Sequence, residues 1–272
     1  MTQPSHLLVL PVLAGLVSVP SSLHIPWRVH AGSPKAWASQ PHSIHYQIGE
    51  TLSKGLPELP PGTSSPETNS GGGSRGDCSE KPFALTPYIY DAGGLTLSAS
   101  PTLWFHSPFP LTADMWFKFE LESVDGAIDV DFEHSFPPPT MAEGVIGIPL
   151  GTNQLPNLEV GQAYTWKVLI YCGGEAAVGQ SSPAMTEGWI IRTENLALEN
   201  QVAGTPDPVE VSTLYRDSAI WYDALSILGN EILTDISTSA TQTAWSALLM
   251  DGGFADEIIN APISGILHIP TP

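Results

Sequence analysis

Residues 158–172 read LEVGQAYTWKVLIYC, and this stretch decides the fold. After its glycine, buried-type residues take every second position: Tyr164, Trp166, Val168, Ile170 and Cys172. Successive side chains of a β-strand point to opposite faces of a sheet, so the alternation places these five residues on one face. The stretch is therefore predicted to be a strand with one face in a hydrophobic core.

The beginning of the same stretch has the spacing of a tyrosine corner. Leu158, Gly161 and Tyr164 follow the pattern Leu-x-x-Gly-x-x-Tyr. In such a corner the loop turns at the glycine, and the tyrosine hydroxyl binds the backbone upstream of it. The pattern resembles that of immunoglobulin-like and fibronectin-like sandwiches, and it bears on fold rather than on function.

Short apolar runs recur every 10 to 16 residues between positions 82 and 193. In one of them Met115, Phe117, Phe119 and Leu121 alternate with charged residues. Short strands at regular spacing, separated by turn residues, are typical of antiparallel sandwiches and barrels. We therefore predict a mainly β protein, with an immunoglobulin-like antiparallel β-sandwich over residues 78–193. The runs are PFALTPYIY, LTLSAS, TLWFHS, DMWFKFELES, GAIDVDFEH, EGVIGIPL, AYTWKVLIYC and MTEGWIIRT.

The strand pattern ends after residue 192 and gives way to helical spacing. Asp207 followed by Pro208 combines a helix cap with proline at the first helical position. Apolar residues then follow at helical spacing up to Gly229, which is expected to end this helix. A second helix is predicted from about Ser239 to Met250. The sequence thus predicts a short C-terminal α-helical hairpin within residues 194–272.

The N-terminus contains the apolar run LLVLPVLAGLVSV at residues 7–19. Its 13 residues are too few to span a bilayer, but they match the apolar part of a secretory signal. Ala36-Trp37-Ala38 supplies a cleavage pattern. We predict a signal peptide at 1–38, with cleavage nearer Ser18 or Ala31 as the alternative, a Pro/Gly/Ser-rich linker at 39–77, and no transmembrane span in the mature chain. The protein is expected to be exported, to the periplasm or the extracellular space.

The charge of the chain restricts its partners. Nine basic residues face 28 acidic ones, for a formal net charge of −19. Such a chain repels the phosphates of nucleic acids and of anionic membranes, so no nucleic-acid partner is predicted. An acidic surface is also an ordinary means of staying soluble. The partner is left as an unknown protein or envelope component.

The chain has two cysteines, Cys78 and Cys172. Two thiols cannot supply the four ligands of a structural zinc site. A disulfide between them would close a loop of about 94 residues and contribute about 4–5 kcal/mol by the chain-entropy argument. Two unrelated buried thiols are the alternative.

The densest acidic cluster comprises Asp125, Asp129, Asp131, Glu133 and His134. The carboxylates at 129, 131 and 133 alternate with apolar residues, which favours a solvated strand face over a calcium site. The motif HExxH is absent, and the match to GxSxG at residues 72–76, GGSRG, lies in the predicted linker and is not framed by a strand and a helix. We assign no catalytic, cofactor-binding or metal-binding residue and predict no cofactor. A metal-dependent hydrolase that uses Asp129, Asp131 or His134 is kept as an alternative function.

Several segments together resemble one family, the domain of unknown function 928, which is uncharacterised and mostly cyanobacterial. The resemblance covers about residues 70–262 and implies an exported protein with a sandwich, a helical tail and a Cys78–Cys172 disulfide. It implies no activity. The family often has a glycine before its Ile-Trp-Tyr-Asp run, where this chain has Ser218-Ala219, and the helix prediction is kept there. The segments are GGGSRG before the first cysteine, ALTP, SASPTLWFHSP, LEVGQAYTWKVLIYC, EGWIIR and AIWYDALSIL.

The leading functional hypothesis is a non-enzymatic binding or envelope-associated protein. A glycan-binding module is the second hypothesis, because exposed aromatic rings would stack on sugars; Trp104, Trp116 and Trp189 are the candidates. Trp221 and Trp245 lie on the apolar rows of the predicted helices and are expected in the core instead.

Overall fold

The computed structural model describes residues 82–84, 94–124, 131–152, 155–234 and 238–270. The predicted signal peptide and linker lie outside the described residues, as do Cys78, Asp125 and Asp129. Among the described residues no helix combines the length and the apolar character that crossing a membrane requires.

The described residues contain nine strands, which form two sheets. Their bounds are β1 Phe83–Ala84, β2 Gly94–Thr96, β3 Thr102–Ser107, β4 Trp116–Ser123, β5 Asp131–Phe136, β6 Gly144–Pro149, β7 Ala163–Tyr171, β8 Ala184–Arg192 and β9 Ile263–Ile266. Sheet A has the order β1-β3-β6-β9, and sheet B has the order β2-β8-β7-β4-β5.

Both sheets are mixed rather than purely antiparallel. Most neighbouring strands run antiparallel, but β2 is parallel to β8 and β9 is parallel to β6. The prediction of an entirely antiparallel sandwich is wrong at these two pairs, and an immunoglobulin-like topology is not confirmed. Both parallel pairs join segments that are distant in sequence, and local alternation does not reveal such pairings.

Five helices follow β8 in the described part of the chain, so the fold is mixed α/β. They are α1 Leu196–Ala203, α2 Pro208–Asp217, α3 Trp221–Ile232, α4 Ser239–Asp251 and α5 Asp256–Ile259. The predicted second helix corresponds to α4, whose cap is the Thr238 side chain. A simple hairpin is not what forms, because further helices flank this pair and β9 returns to sheet A.

The first predicted helix is interrupted at Ser218-Ala219. Asp207 caps α2 through the Val209 N–H and Pro208 occupies its first turn, as predicted. Ala219, however, has a φ of 60°, in the left-handed region that interrupts a right-handed helix. The helix prediction across this site is wrong, and a glycine would suit the observed backbone better than alanine. Gly229 does not end the helix either, since α3 continues to Ile232.

The two sheets face each other across the main core. The inner face of β4 presents Phe117, Phe119 and Leu121, all fully buried, as the alternation predicted. The inner row of β7, from Tyr164 to Ile170, is equally buried. Phe105 of β3 meets Phe117 of β4 with ring centroids 6.2 Å apart, so the facing sheets are in direct contact.

Helices α3 and α4 cover the outer face of sheet A. The Trp104 ring of β3 lies against Gly229 of α3, where a Cβ atom would overlap it. The same ring meets Trp245 of α4 edge to face at 5.7 Å. Trp221 and Trp245 are both buried, which confirms their predicted place in the core.

A second core lies on the outer face of sheet B, at one end. It joins the strand residues Leu95, Ala163 and Ile191 to Leu198 of α1, with Leu214 of α2 packed against them. Helices α1 and α2 therefore cover this end of sheet B. The opposite end, toward residues 116, 171 and 185, is not part of that cluster.

Candidate interaction face

The tyrosine at the start of β7 fixes the loop before it. The Tyr164 hydroxyl accepts a hydrogen bond of 2.9 Å from the Glu159 backbone N–H. Gly161 has a φ of 78°, and its N–H donates to the Arg192 carbonyl at 2.7 Å. The Arg192 guanidinium donates to the Leu158 carbonyl at 2.7 Å. These contacts hold a loop in place, and the assignment to an immunoglobulin-like tyrosine corner stays a prediction.

Cys172 follows β7 and is partly buried, packed against the main core. Cys78 lies outside the described residues. The pairing of the two cysteines therefore stays a prediction.

A buried carboxylate links sheet B to the helices. Asp223, in the first turn of α3, accepts hydrogen bonds from the Thr96 hydroxyl at 2.6 Å and from the Leu97 N–H at 3.1 Å. Burial raises the pKa of Asp223, and the hydrogen bonds from Thr96 and from the Leu97 and Ser98 backbone oppose that rise. The carboxylate is engaged within the protein, which suits an anchor for α3 better than a general acid. Sequence reasoning passed over this residue, because the single helix predicted up to Gly229 places it in the helix interior, where acidic residues are mostly exposed.

Tyr222 anchors the same end of α3 against sheet B. Its hydroxyl accepts a hydrogen bond from the Trp166 indole N–H at 3.1 Å and donates to the Trp189 carbonyl at 3.0 Å. The ring lies against Gly94, where a Cβ atom would overlap it. Farther along α3, the Ser226 hydroxyl accepts from the Thr102 N–H of sheet A at 3.2 Å. Helix α3 therefore ties the two sheets together.

Two of the three proposed metal ligands, Asp131 and His134, lie in the described strand β5, whereas Asp129 lies outside the described residues. Asp131 pairs with Glu122 and Glu133 with Glu120, whereas His134 pairs with the inward-facing Phe119. Asp131 and His134 thus lie on opposite faces of sheet B. Within the described ranges, no group of three or more His, Cys, Asp or Glu side chains is placed to hold a metal ion.

The outer face of sheet B carries a ladder of ion pairs. Lys118 of β4 lies 2.7 Å from Glu120 and 2.9 Å from Glu133, and Lys167 of β7 lies 3.7 Å from Glu122. Burial lowers the pKa of Lys118, but the two carboxylates outweigh it and raise the pKa to about 12. The acidic face predicted from β5 is therefore partly neutralised by lysines of neighbouring strands, which only the strand register reveals.

Beside this ladder lies a group of apolar side chains, which we call the uncovered face: Trp116, Leu169, Tyr171 and Met185. Trp116 is opposite Tyr171, and Leu169 is opposite Met185, on adjacent strands. All four alternate with buried inner residues and so point to the outer face. Met185 is 37% exposed, Trp116 and Leu169 are partly exposed, and Tyr171 is buried. None of the four belongs to the cluster that α1 and α2 cover.

The structure corrects two of the three tryptophans proposed as sugar-binding platforms. Trp104 is fully buried under α3 and α4, and Trp189 is buried in the second core. The predicted exposure of both residues is wrong because helices cover the outer faces of their strands: α3 and α4 cover Trp104, and α1 and α2 cover the end of sheet B that contains Trp189. Trp116 alone of the three keeps part of its ring accessible.

The chain was compared with known protein families. The model of the family described as Domain of Unknown Function (DUF928) matches residues 70–263. The chain belongs to this family. The matched part of this DUF928 protein contains strands β1 to β8 and all five helices, and it reaches the first residue of β9. It therefore includes both the α3 anchor and the uncovered face. A search of curated proteins finds no match.

Proposed function

We propose that this DUF928 protein is an exported, non-enzymatic binding or envelope-associated protein that acts through the uncovered face. One observation carries the proposal. Helices cover the outer face of sheet A and one end of sheet B, while Trp116, Leu169 and Met185 remain partly exposed at the other end. Apolar side chains gathered on an otherwise charged surface are typical of interaction sites.

The polar groups of the interior support a structural rather than a catalytic role for the core. Asp223 and Tyr222 each bond to two groups of sheet B, and both hold α3 in place. A catalytic acid or base needs a proton that substrate can reach, and these groups face buried protein atoms. The partner, a protein or an envelope component, is therefore proposed to bind the surface rather than a cleft.

Export and the disulfide belong to the same proposal. The N-terminal apolar run resembles a secretory signal, and secreted chains keep disulfides in the oxidising compartments they enter. We expect mature protein in the periplasm or the extracellular space, with Cys78 and Cys172 paired. Intact-mass measurement of protein from its native host tests this. Mature chain that keeps its leader and two free thiols would contradict it.

Site-specific crosslinking tests the binding surface. A photo-reactive residue is placed at Met185, on the uncovered face, or at Met250, a control on α4 that is 64% exposed. Illumination of the native envelope fraction should give a defined adduct from position 185 and none from position 250. Equal adduct yields at both positions, or none at 185, would refute a binding role for this face.

A glycan-binding role is a second candidate, and it now rests on Trp116 alone. The partly exposed Trp116 lies two residues before the ion-paired Lys118 on the same face of β4. A sugar would therefore find both a stacking surface and hydrogen-bonding groups there. Replacement of Trp116 by serine should abolish binding of a neutral polysaccharide if this candidate is correct. Retention of binding by the Trp116→Ser variant would exclude it.

A further inference from the structure

We propose that the occupant of the uncovered face is a basic polypeptide segment that also carries an apolar anchor. This inference rests on the proposed function and specifies the chemistry of its partner. It follows from two properties of the same surface: a strong excess of negative charge and a local group of exposed apolar side chains.

The described residues include four lysines and arginines in total. Lys118 and Lys167 pair with glutamates of the ladder, and Arg216 pairs with aspartates of the helical layer. Arg192 donates to the carbonyls of Leu97 and Leu158. All four of these cations are thus engaged within the protein, so the part of the surface that the structure describes has no unpaired cation to offer an anionic partner.

The ladder next to the uncovered face has an excess of carboxylates. Its two lysines are shared by Glu120, Glu122 and Glu133, while Asp131 and Glu187 project from the same outer face. Five carboxylates thus surround two ammonium groups, so the local potential is negative. Such a potential attracts cationic partners and speeds their association.

The apolar side chains of the uncovered face provide the contact surface for the apolar anchor of the partner. Leu169 lies between Lys118 and Met185 in the strand register, so the charged ladder and the apolar side chains are contiguous. An extended segment could run across the strands along the boundary between the ladder and the apolar side chains. Its alternate side chains would then point to opposite sides of this boundary, one set over the ladder and the other over the apolar group. Lysine or arginine would then reach the carboxylates, and an apolar residue would cover Leu169 and Met185.

Two other occupants fit the surface less well. A second copy of this chain also carries a formal charge of −19, so face-to-face pairing would bring like charges together. A neutral glycan uses Trp116 but gains nothing from the excess of carboxylates. Both occupants are outcomes of the experiment that follows.

The experiment measures the binding of two synthetic peptides to the full mature chain by fluorescence anisotropy. The peptide KLKLKLK carries charge and apolar anchors, and KSKSKSK carries the same charge without anchors. The Leu169→Ser/Met185→Ser double variant removes the proposed contact, and Met250→Ser is the matched control on α4. Circular dichroism checks that each variant is folded.

The double variant should bind KLKLKLK about 10-fold more weakly, whereas Met250→Ser should bind it as the unchanged protein does. KSKSKSK should bind weakly and equally to all three proteins, and added salt should weaken both peptides. Equal affinities of the unchanged protein and the double variant for KLKLKLK would overturn the inference. Equal affinities of the two peptides for the unchanged protein would overturn it as well.

Two further outcomes separate this inference from the proposed function. In the first outcome, a neutral β-glucan binds the unchanged protein but not Trp116→Ser, and the two peptides bind with equal affinity. This result would overturn the basic partner but keep a binding role for the face. Self-association that the double variant abolishes, measured by analytical ultracentrifugation, would likewise replace the basic segment with a second copy. Loss of the Met185 crosslink would refute the proposed function itself.

Discussion

Replacement of Tyr222 by phenylalanine tests whether α3 ties the sheets together. The change removes one hydroxyl from a fully buried side chain and leaves the ring in place against Gly94. The Trp166 indole N–H loses its acceptor, and the Trp189 carbonyl loses the hydroxyl as a donor. A net hydrogen bond contributes about 1 kcal/mol, and an unsatisfied buried polar group costs about 1–3 kcal/mol. We therefore expect Tyr222→Phe to lower the free energy of unfolding by about 2–4 kcal/mol.

Urea unfolding followed by tryptophan fluorescence measures this loss, because the chain has eight tryptophans and buried ones such as Trp166 become exposed on unfolding. Tyr171→Phe is the matched control, because Tyr171 is also buried but its hydroxyl makes no hydrogen bond among the described residues; this change should alter stability by less than about 0.5 kcal/mol. Both proteins are compared with their cysteines in the same oxidation state. A loss below about 1 kcal/mol for Tyr222→Phe would refute the reasoning, because one ordinary hydrogen bond would then account for it.

Three further predictions concern the helices and strand β9. Ala219→Gly relieves about 1–2 kcal/mol of strain in the left-handed backbone but removes about 0.8 kcal/mol of stabilisation by the buried methyl group. Urea unfolding should therefore show equal or slightly higher stability. A loss of stability above about 1 kcal/mol would contradict this prediction. Burial raises the pKa of Asp223 in the folded state, so protonation of Asp223 favours folding. As pH falls from 7 toward that pKa, the unfolding midpoint of the wild-type protein should rise relative to that of Asp223→Asn. A difference between the two midpoints that does not change with pH would contradict this. Truncation after Ala261 removes β9 and the buried Leu267 and Ile269, so calorimetry should show no cooperative transition, and an unchanged transition would contradict it.

Local patterns predicted the elements whose structure depends on neighbours in sequence. The alternation in β4 and β7 assigned the buried faces correctly, because one face of each strand packs into the main core. Asp207 and Pro208 marked the start of α2 for a similar reason, since a cap acts within a single helical turn. The structural role of such residues depends on neighbours within a few positions in the sequence.

Contacts between distant segments were not predictable in the same way. Trp104 looks like an exposed aromatic in its strand, yet helices more than 120 residues later cover it, as its contact with Gly229 shows. Ala219 gave no sign of a helix break, because alanine is a strong helix former and only the packing of α2 and α3 imposes its left-handed φ. The candidate face was equally hidden: Trp116 was singled out, but Leu169 and Met185 join it only through the strand register.

The proposal that the uncovered face is occupied in the envelope can be measured on the unmodified protein. Hydrogen peroxide converts accessible methionine to its sulfoxide, so Met185 and Met250 serve as paired reporters on one chain. Mass spectrometry of tryptic peptides compares purified protein with protein oxidised in its native envelope. We predict that Met185 is protected in the envelope while Met250 is oxidised to the same extent in both. Equal oxidation of Met185 in the two samples would contradict the account.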